Sequence, residues 1–251
     1  MFSIFLRCQP DEEDCLTAEL WEQNTAGVAD EPGGLRAFFD DDAHAAEVLP
    51  RFARFRPELR VEAEMDWEQV SRDAWPPMLV GERFLLVPPW RDEPAPTGRM
   101  RLEIEPGMAC GTGRHPATQL CIEAMERYVQ PASTVVDVGT GSGILSCAAQ
   151  LLGALRVFAC DIDAEAIEIA RRRGTAAFFV GTLDAVESAT ADVVIANINS
   201  ETIERLRPEF ERVRRAQSVL ILSGFPEWDN VEGFEVTETL QRDEWVCVVC
   251  G

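Results

Sequence analysis

The segment Val135-Val136-Asp137-Val138-Gly139-Thr140-Gly141-Ser142-Gly143-Ile144-Leu145 constrains this chain more than any other stretch in it. An apolar run suited to a buried strand passes into closely spaced glycines and then into a helix-forming stretch. A second apolar run, Phe158-Ala159-Cys160, ends in Asp161 at about the 20-residue spacing of nucleoside-binding βαβ units. Two adjacent buried strands joined through a helix imply a parallel sheet. In such a sheet the glycine turn and the acidic strand end meet at the carboxyl edge, where Asp161 can accept hydrogen bonds from both ribose hydroxyls. A glycine turn by itself also fits other parallel α/β sheets.

Gly139 and Gly141 let the chain turn sharply and bring its backbone against a ligand, and Gly143 removes a side chain where the helix meets the strand. The spacing is GxGxG. A dinucleotide fingerprint, GxGxxG, would need a glycine where Ile144 stands, and its helix start receives a pyrophosphate. The tighter turn suits a nucleoside without phosphates, such as S-adenosylmethionine. Upstream, the run from Glu105 to Thr118 delivers Thr118 to a helix start, where its hydroxyl and free amides can face an anionic group such as the methionine carboxylate. A plain N-cap is the simpler role. Downstream, the apolar run from Ala191 to Ile198 carries Asn197 at a strand end that lines the ligand crevice, so Asn197 can orient a nucleophile's hydrogens or serve as a turn residue. His115 is the other candidate base, although one unpartnered histidine better suits bracing of the glycine loop.

With these segments in order, the chain resembles the bacterial ribosomal protein methyltransferases of the PrmA type, which modify protein eleven of the large subunit. The resemblance rests on EPGMACGTGRHPATQLCIEAM, VVDVGTGSGILSCAAQLLGA, CDIDAEAIEIA, DVVIANI, VLILSG and DEWVCVV, and runs from about Gly81 to the C-terminus. It implies a class I S-adenosylmethionine-dependent methyltransferase fold, Rossmann-like with a mostly parallel sheet. It also implies S-adenosylmethionine contacts at Thr118, Gly139, Gly141, Asp161 and Asn197, and methylation of lysine side chains and the N-terminal amine of that basic protein. Asn197 is the candidate catalytic residue; no metal is expected. Departures are Cys110 where the family has an aromatic residue, Arg114 and Ala117 in place of threonines, Arg171-Arg172-Arg173-Gly174 after the third motif, and a short stretch between Gly224 and Phe234. They keep open a methyltransferase of the same fold acting on another protein's lysines or on a small molecule. A non-catalytic binding module fits the retained glycines, Asp161 and Asn197 less well.

Ahead of this region the pattern changes. Phe2 to Cys8 alternates as a strand, Asp11 to Asn24 reads as a helix with Leu16, Leu20 and Trp21 on one face, and Ala26 to Phe39 reads as a hairpin. A second helix over 40–54 and a strand over Arg60 to Met65 complete βαββαβ, the ferredoxin-like order. The predicted organisation is a small α+β ferredoxin-like domain over 1–65, which the resemblance makes the substrate-recruiting part. A proline- and tryptophan-rich connector follows over 66–98, able to act as a hinge, and then a methyltransferase domain over 99–251.

The formal charge of −21 argues against a partner of naked nucleic acid, which calls for a basic footprint, and fits a basic protein. Acidic clusters lie at Asp11 to Asp14, Asp40 to Asp42 and Glu62 to Asp66. No stretch approaches membrane-spanning length, and the first residues lack a basic flank and a cleavage site, so a cytoplasmic protein is expected. All 23 basic residues are arginine. The eight cysteines mostly lie in apolar runs and suit core positions; Cys247 and Cys250, three apart on a strand, should face opposite sides, away from a shared zinc site.

Overall fold

Along the first strand, Phe2, Ile4 and Leu6 alternate with Ser3, Phe5 and Arg7, so one face of the strand is wholly apolar. A computed structural model of the chain describes residues 2–9, 12–40, 45–61, 75–104, 113–229 and 231–251. It divides into two units, Met1–Asp73 and Ala74–Gly251.

In the first unit β1 (Phe2–Arg7), α1 (Glu13–Trp21), β2 (Gly27–Glu31), β3 (Gly34–Phe39), α2 (Ala45–Arg51) and β4 (Glu58–Val61) follow in that order. The sheet order is β2-β3-β1-β4 with antiparallel neighbours, the arrangement of a ferredoxin-like sheet. Phe2, Ile4 and Leu6 pack with Leu16 and Leu20 of α1 and Val48 of α2. Each such side chain contributes about 1.5–3 kcal/mol on burial. Trp21 departs from the predicted face: it is 55% exposed, because the buried stripe of this short helix runs through Leu16 and Leu20, four residues apart, and the next position rotates away. Both helices end earlier than predicted, at Trp21 and Arg51, and the last strand starts earlier, at Glu58. Residues 62–65 of the predicted strand, the acidic cluster Glu62 to Asp66, and parts of the two earlier clusters lie outside the described residues.

The second unit opens with β5 (Met78–Val80), β6 (Phe84–Val87) and β7 (Met100–Glu103), a small sheet in which β5 is antiparallel and β7 parallel to β6. These strands fall largely where the sequence predicts a connector. They are recruited because Val80, Phe84, Leu86 and Leu102 are buried in the core of the unit, and because the β5–β6 turn is clamped by Glu126, whose carboxylate accepts from the amides of Glu82 and Arg83 at 2.8 Å each. Of the predicted connector, 66–74 lies outside the described residues.

The main body follows as α3 (Pro116–Tyr128), β8 (Thr134–Val138), α4 (Ile144–Leu151), β9 (Arg156–Asp161), α5 (Ala164–Arg171), β10 (Ala177–Val180), β11 (Ala191–Asn197), α6 (Ser200–Val213), β12 (Arg214–Pro226), β13 (Val236–Arg242) and β14 (Trp245–Cys250). The seven-stranded sheet has the order β10-β9-β8-β11-β12-β14-β13. Strands β8 to β12 are mutually parallel, and β14 is antiparallel to both its neighbours. This is the mostly parallel Rossmann-like sheet of class I methyltransferases. Strand alternation divides the core into two layers. Val135, Ile195, Ile221 and Cys247 pack under Cys121 and Met125 of α3 and Ala148 of α4. Val136, Val194, Leu220 and Cys250 pack under Phe210 and Val213 of α6. Cys247 and Cys250 therefore face opposite sides of the sheet. Burial pushes the Cys250 thiol up to about 11 and that of Cys160 to about 12, which keeps both as inert core residues.

Candidate active site

The order reversal between β8 and its neighbours β9 and β11 opens a crevice at the carboxyl edge of the sheet, the place where open α/β sheets bind ligands. A cavity of about 830 Å³ lies there, and Thr118, Gly139, Gly141, Asp161 and Asn197 all line it. The sequence-predicted residues are thus brought together from four separate segments: the start of α3, the turn after β8, and the ends of β9 and β11.

The glycine turn works through its backbone. Gly139, Gly141 and Gly143 have φ of 69°, 52° and 80°, left-handed values that most side chains disfavour. A Cβ on Gly139 would sit 2.5 Å from Cγ2 of Ile198, and one on Gly143 would sit 2.9 Å from Cβ of Ala170. The close approach at Gly143 is chiefly to helix α5, a different neighbour from the strand predicted. Asp161 is oriented by two backbone amides: Gly141 N–H donates to Oδ2 at 2.9 Å, and Asp163 N–H donates to Oδ1 at 3.0 Å. The first of these bonds joins the two halves of the motif directly. The remaining lone pairs of the carboxylate are available to a diol in the cavity.

Thr118 is buried and lies on the first turn of α3. Its amide is not free, as the sequence predicts, but donates to the His115 carbonyl at 3.0 Å. The Thr118 hydroxyl accepts from Asn197 Nδ2 at 3.0 Å, which leaves that hydroxyl's proton and, among the described residues, Asn197 Oδ1 without a hydrogen-bond partner. His115 caps α3, with Nδ1 accepting from Ala117 N–H at 3.3 Å, and its ring meets Trp245 edge-on at 4.3 Å. This is the bracing role rather than that of a base. The loop from Glu105 to Thr112, with Cys110, lies outside the described residues.

Three residues were not singled out from sequence. Ile162 is 81% exposed yet lines the cavity directly after Asp161, so it offers the cavity an apolar surface beside the carboxylate. Thr182, after β10, lines the same end. Asp137 is fully buried beneath the glycine turn; its Oδ2 accepts from Thr140 at 2.7 Å and Ser146 at 2.6 Å, and among the described residues its Oδ1 has no partner. Burial raises its pKa, an effect opposed by the Ser146 and Thr140 hydrogen bonds. Its sequence signal is a carboxylate inside an otherwise apolar strand, and Ile162's is an apolar residue in a polar turn.

A family model described as ribosomal protein L11 methyltransferase (PrmA) matches residues 9–251. The ribosomal protein L11 methyltransferase of Anoxybacillus flavithermus is 39% identical over 203 residues, 74% of this chain and 65% of that protein. That of Burkholderia thailandensis is 35% identical over 231 residues, 88% of this chain and 75% of that protein. The chain thus spans 65% to 75% of the length of these relatives. Among solved structures, a ribosomal protein L11 methylase from Lactobacillus delbrueckii subsp. bulgaricus aligns with a TM-score of 0.62 at 28% identity, covering 70% of this chain and 97% of that one.

Proposed function

Because the chain belongs to the ribosomal protein L11 methyltransferase family, we propose that it transfers methyl groups from S-adenosylmethionine to amino nitrogens of large-subunit ribosomal protein eleven, at lysine side chains and the N-terminus. The observation that carries this reading is the Asn197–Thr118 pair, held beside a cavity whose far wall is the fixed carboxylate of Asp161.

The residues present fit that cofactor. Asp161 would accept from the ribose hydroxyls, Ile162 would cover the base, and the bare backbone of Gly139 and Gly141 would lie along the methionine portion. Thr118 would donate its hydroxyl proton to the carboxylate end. The cavity, at about 830 Å³, is of the size that nucleoside ligands fill. When bound, S-adenosylmethionine supplies an activated methyl group on a sulfonium.

The remaining work is placement. With Nδ2 committed to Thr118, Asn197 presents Oδ1 as an acceptor. An amine that donated one N–H to Oδ1 would be held with its lone pair free to attack an activated methyl group. Lysine has a reference pKa of about 10.4, so a proton leaves before attack, and exclusion of water at the mouth lowers that barrier. In this reading the first unit recruits the ribosomal protein and the second modifies it, in the cytoplasm where ribosomes are made. Among the described residues no helix is long and apolar enough to cross a membrane.

The test is methyl transfer from labelled S-adenosylmethionine into unmethylated protein eleven, followed by intact-mass and peptide mapping. Mass gains in single-methyl steps at amino nitrogens are expected. Since every basic residue of the enzyme is arginine, any methylated lysine comes from the substrate. Tight cofactor binding without incorporation would replace protein eleven by another basic protein or a small molecule.

A further inference from the structure

The adenosine end of the site gathers on the β8–β9–β10 half of the sheet, at Gly141, Asp161 and Thr182, whereas Asn197 stands at the end of β11. The next strand, β12, runs parallel to β11 with Ser223 opposite Asn197, so it ends on the same edge. An amine reaching Asn197 from the side away from adenosine passes over the end of β12. There the chain turns through Pro226-Glu227-Trp228-Asp229, and Trp228 is 73% exposed.

Isolated exposed apolar residues are common on protein surfaces. Trp228 is set apart by its support and surroundings. Its turn is braced on every side: Asp229 N–H donates to the Pro226 carbonyl at 3.0 Å, Glu227 N–H donates to the Glu244 carbonyl at 2.7 Å, and Ser200 donates to Asp229 Oδ2 at 2.5 Å. Ser200 lies between Asn199 and Thr202, both of which line the cavity, so the turn that carries the indole is held beside the mouth. Around it Glu201, Glu227, Asp229, Asp243 and Glu244 are exposed, and among the described residues none of them pairs with an arginine. Arg242, on the same edge, is taken up by Glu123 at 2.7 Å and by Gln119.

We propose that Trp228 and this carboxylate rim form the docking surface for a lysine-bearing segment of a basic protein, holding the residues beside the accepting amine; the inference rests on the amine methyltransferase reading above. An indole face attracts an ammonium group, and carboxylates around it add attraction and repel phosphate backbones. An aromatic with few rotatable bonds on a braced turn gains contact area at a small loss of conformational freedom on binding. The rim thus selects for cationic polypeptide over nucleic acid or an uncharged peptide.

Calorimetric titration of unmethylated ribosomal protein eleven, and of an oligolysine peptide, into wild type, Trp228→Ala and Trp228→Phe tests the surface. We expect Trp228→Ala to weaken both by about tenfold and Trp228→Phe by about threefold, with affinity for S-adenosylmethionine unchanged. Carbodiimide coupling supplies a second readout, joining a carboxylate to an amine with loss of water. The chain has no lysine, so links at the five rim carboxylates come from the partner or the N-terminus, which mass spectrometry separates. Wild-type affinity in Trp228→Ala, or links confined to carboxylates elsewhere, would overturn the docking surface while leaving the methyltransferase reading intact. Oligolysine held at the rim, with no methyl transfer to protein eleven, would overturn the substrate assignment and leave the surface standing.

Discussion

The two halves of the seven-stranded sheet build their binding groups in different ways. On the β8–β9 side the functional carboxylates are held within the motif itself: Asp161 by the amides of Gly141 and Asp163, and Asp137 by Thr140 and Ser146. On the β11–β12 side the contacts join residues remote in sequence, Asn197 to Thr118 across 79 positions and Ser200 to Asp229 across 29. In the proposed function a cofactor of fixed structure would be met by backbone geometry that is complete before it arrives. In that reading the amine of a variable polypeptide would be met by side chains that pair across separate elements.

That contrast breaks most readily at Asp161. Asp161→Ala removes two charge-assisted acceptors and should weaken S-adenosylmethionine binding by about 3 kcal/mol, on the order of 100-fold, as read by calorimetry. At saturating cofactor its kcat should stay within a few-fold of wild type. A large fall in kcat would mean that the cofactor half also orients the acceptor. Asn197→Ala should do the reverse, lowering kcat by about 30-fold through lost amine orientation, with cofactor affinity changed by no more than about threefold. Loss of cofactor binding with transfer unchanged at saturation would remove the orienting role and merge the two halves into one function.

The same difference decides what could be read from the residues alone. The glycine turn, Asp161 and the βαββαβ order of the first unit are local signals, because turn chemistry and strand alternation are written in consecutive positions. Asn197 and Thr118 were individually legible as a strand end and a helix start. Their hydrogen bond was not, since it depends on α3 folding back over β11. The strands β5 and β6 were hidden by their flanking prolines and tryptophans, which read as a connector. What recruits them is burial of Phe84 and Leu86 and the Glu126 clamp, contacts from α3 that no local pattern announces. Trp21 stands one helical step off the buried stripe that its spacing predicts. Ile162 and Asp137 each break the polarity of their surroundings, and that mismatch is their signal in the sequence.

A smaller effect tests whether the cofactor half is rigid for its own sake. Gly143→Ala places a Cβ 2.9 Å from that of Ala170 in a backbone with φ of 80°. The strain should lower unfolding free energy by about 1–2 kcal/mol in urea titration. Gly98→Ala, also in a left-handed backbone but with open space where its Cβ would stand, should lose about 1 kcal/mol from backbone strain alone. Equal losses at the two sites would show that the packing of α5 against the turn contributes nothing.

The smallest effect concerns Asp137, and its sign follows from its surroundings. Burial is the largest influence on this carboxyl and raises its pKa; the negative charge of Asp161 pushes the same way, while hydrogen bonds from Ser146 and Thr140 oppose. The folded protein therefore keeps a proton that the unfolded chain releases near the ordinary value of about 3.9. Stability from this group is complete below that pH, declines by up to about 1.4 kcal/mol per pH unit between the ordinary and raised values, and is lost above the raised one. Asp137→Asn cannot titrate. Its amide oxygen can still accept from both hydroxyls, and its new N–H₂ group, in the place of the partnerless Oδ1, adds a penalty independent of pH. Melting temperatures of the cofactor-free proteins should thus show the wild type losing ground to the variant as pH rises from about 4 toward neutrality, then a constant difference. A difference flat over the whole range would place the Asp137 carboxyl in a better-solvated setting than its burial allows, and would make the cofactor half less pre-formed than the acceptor half.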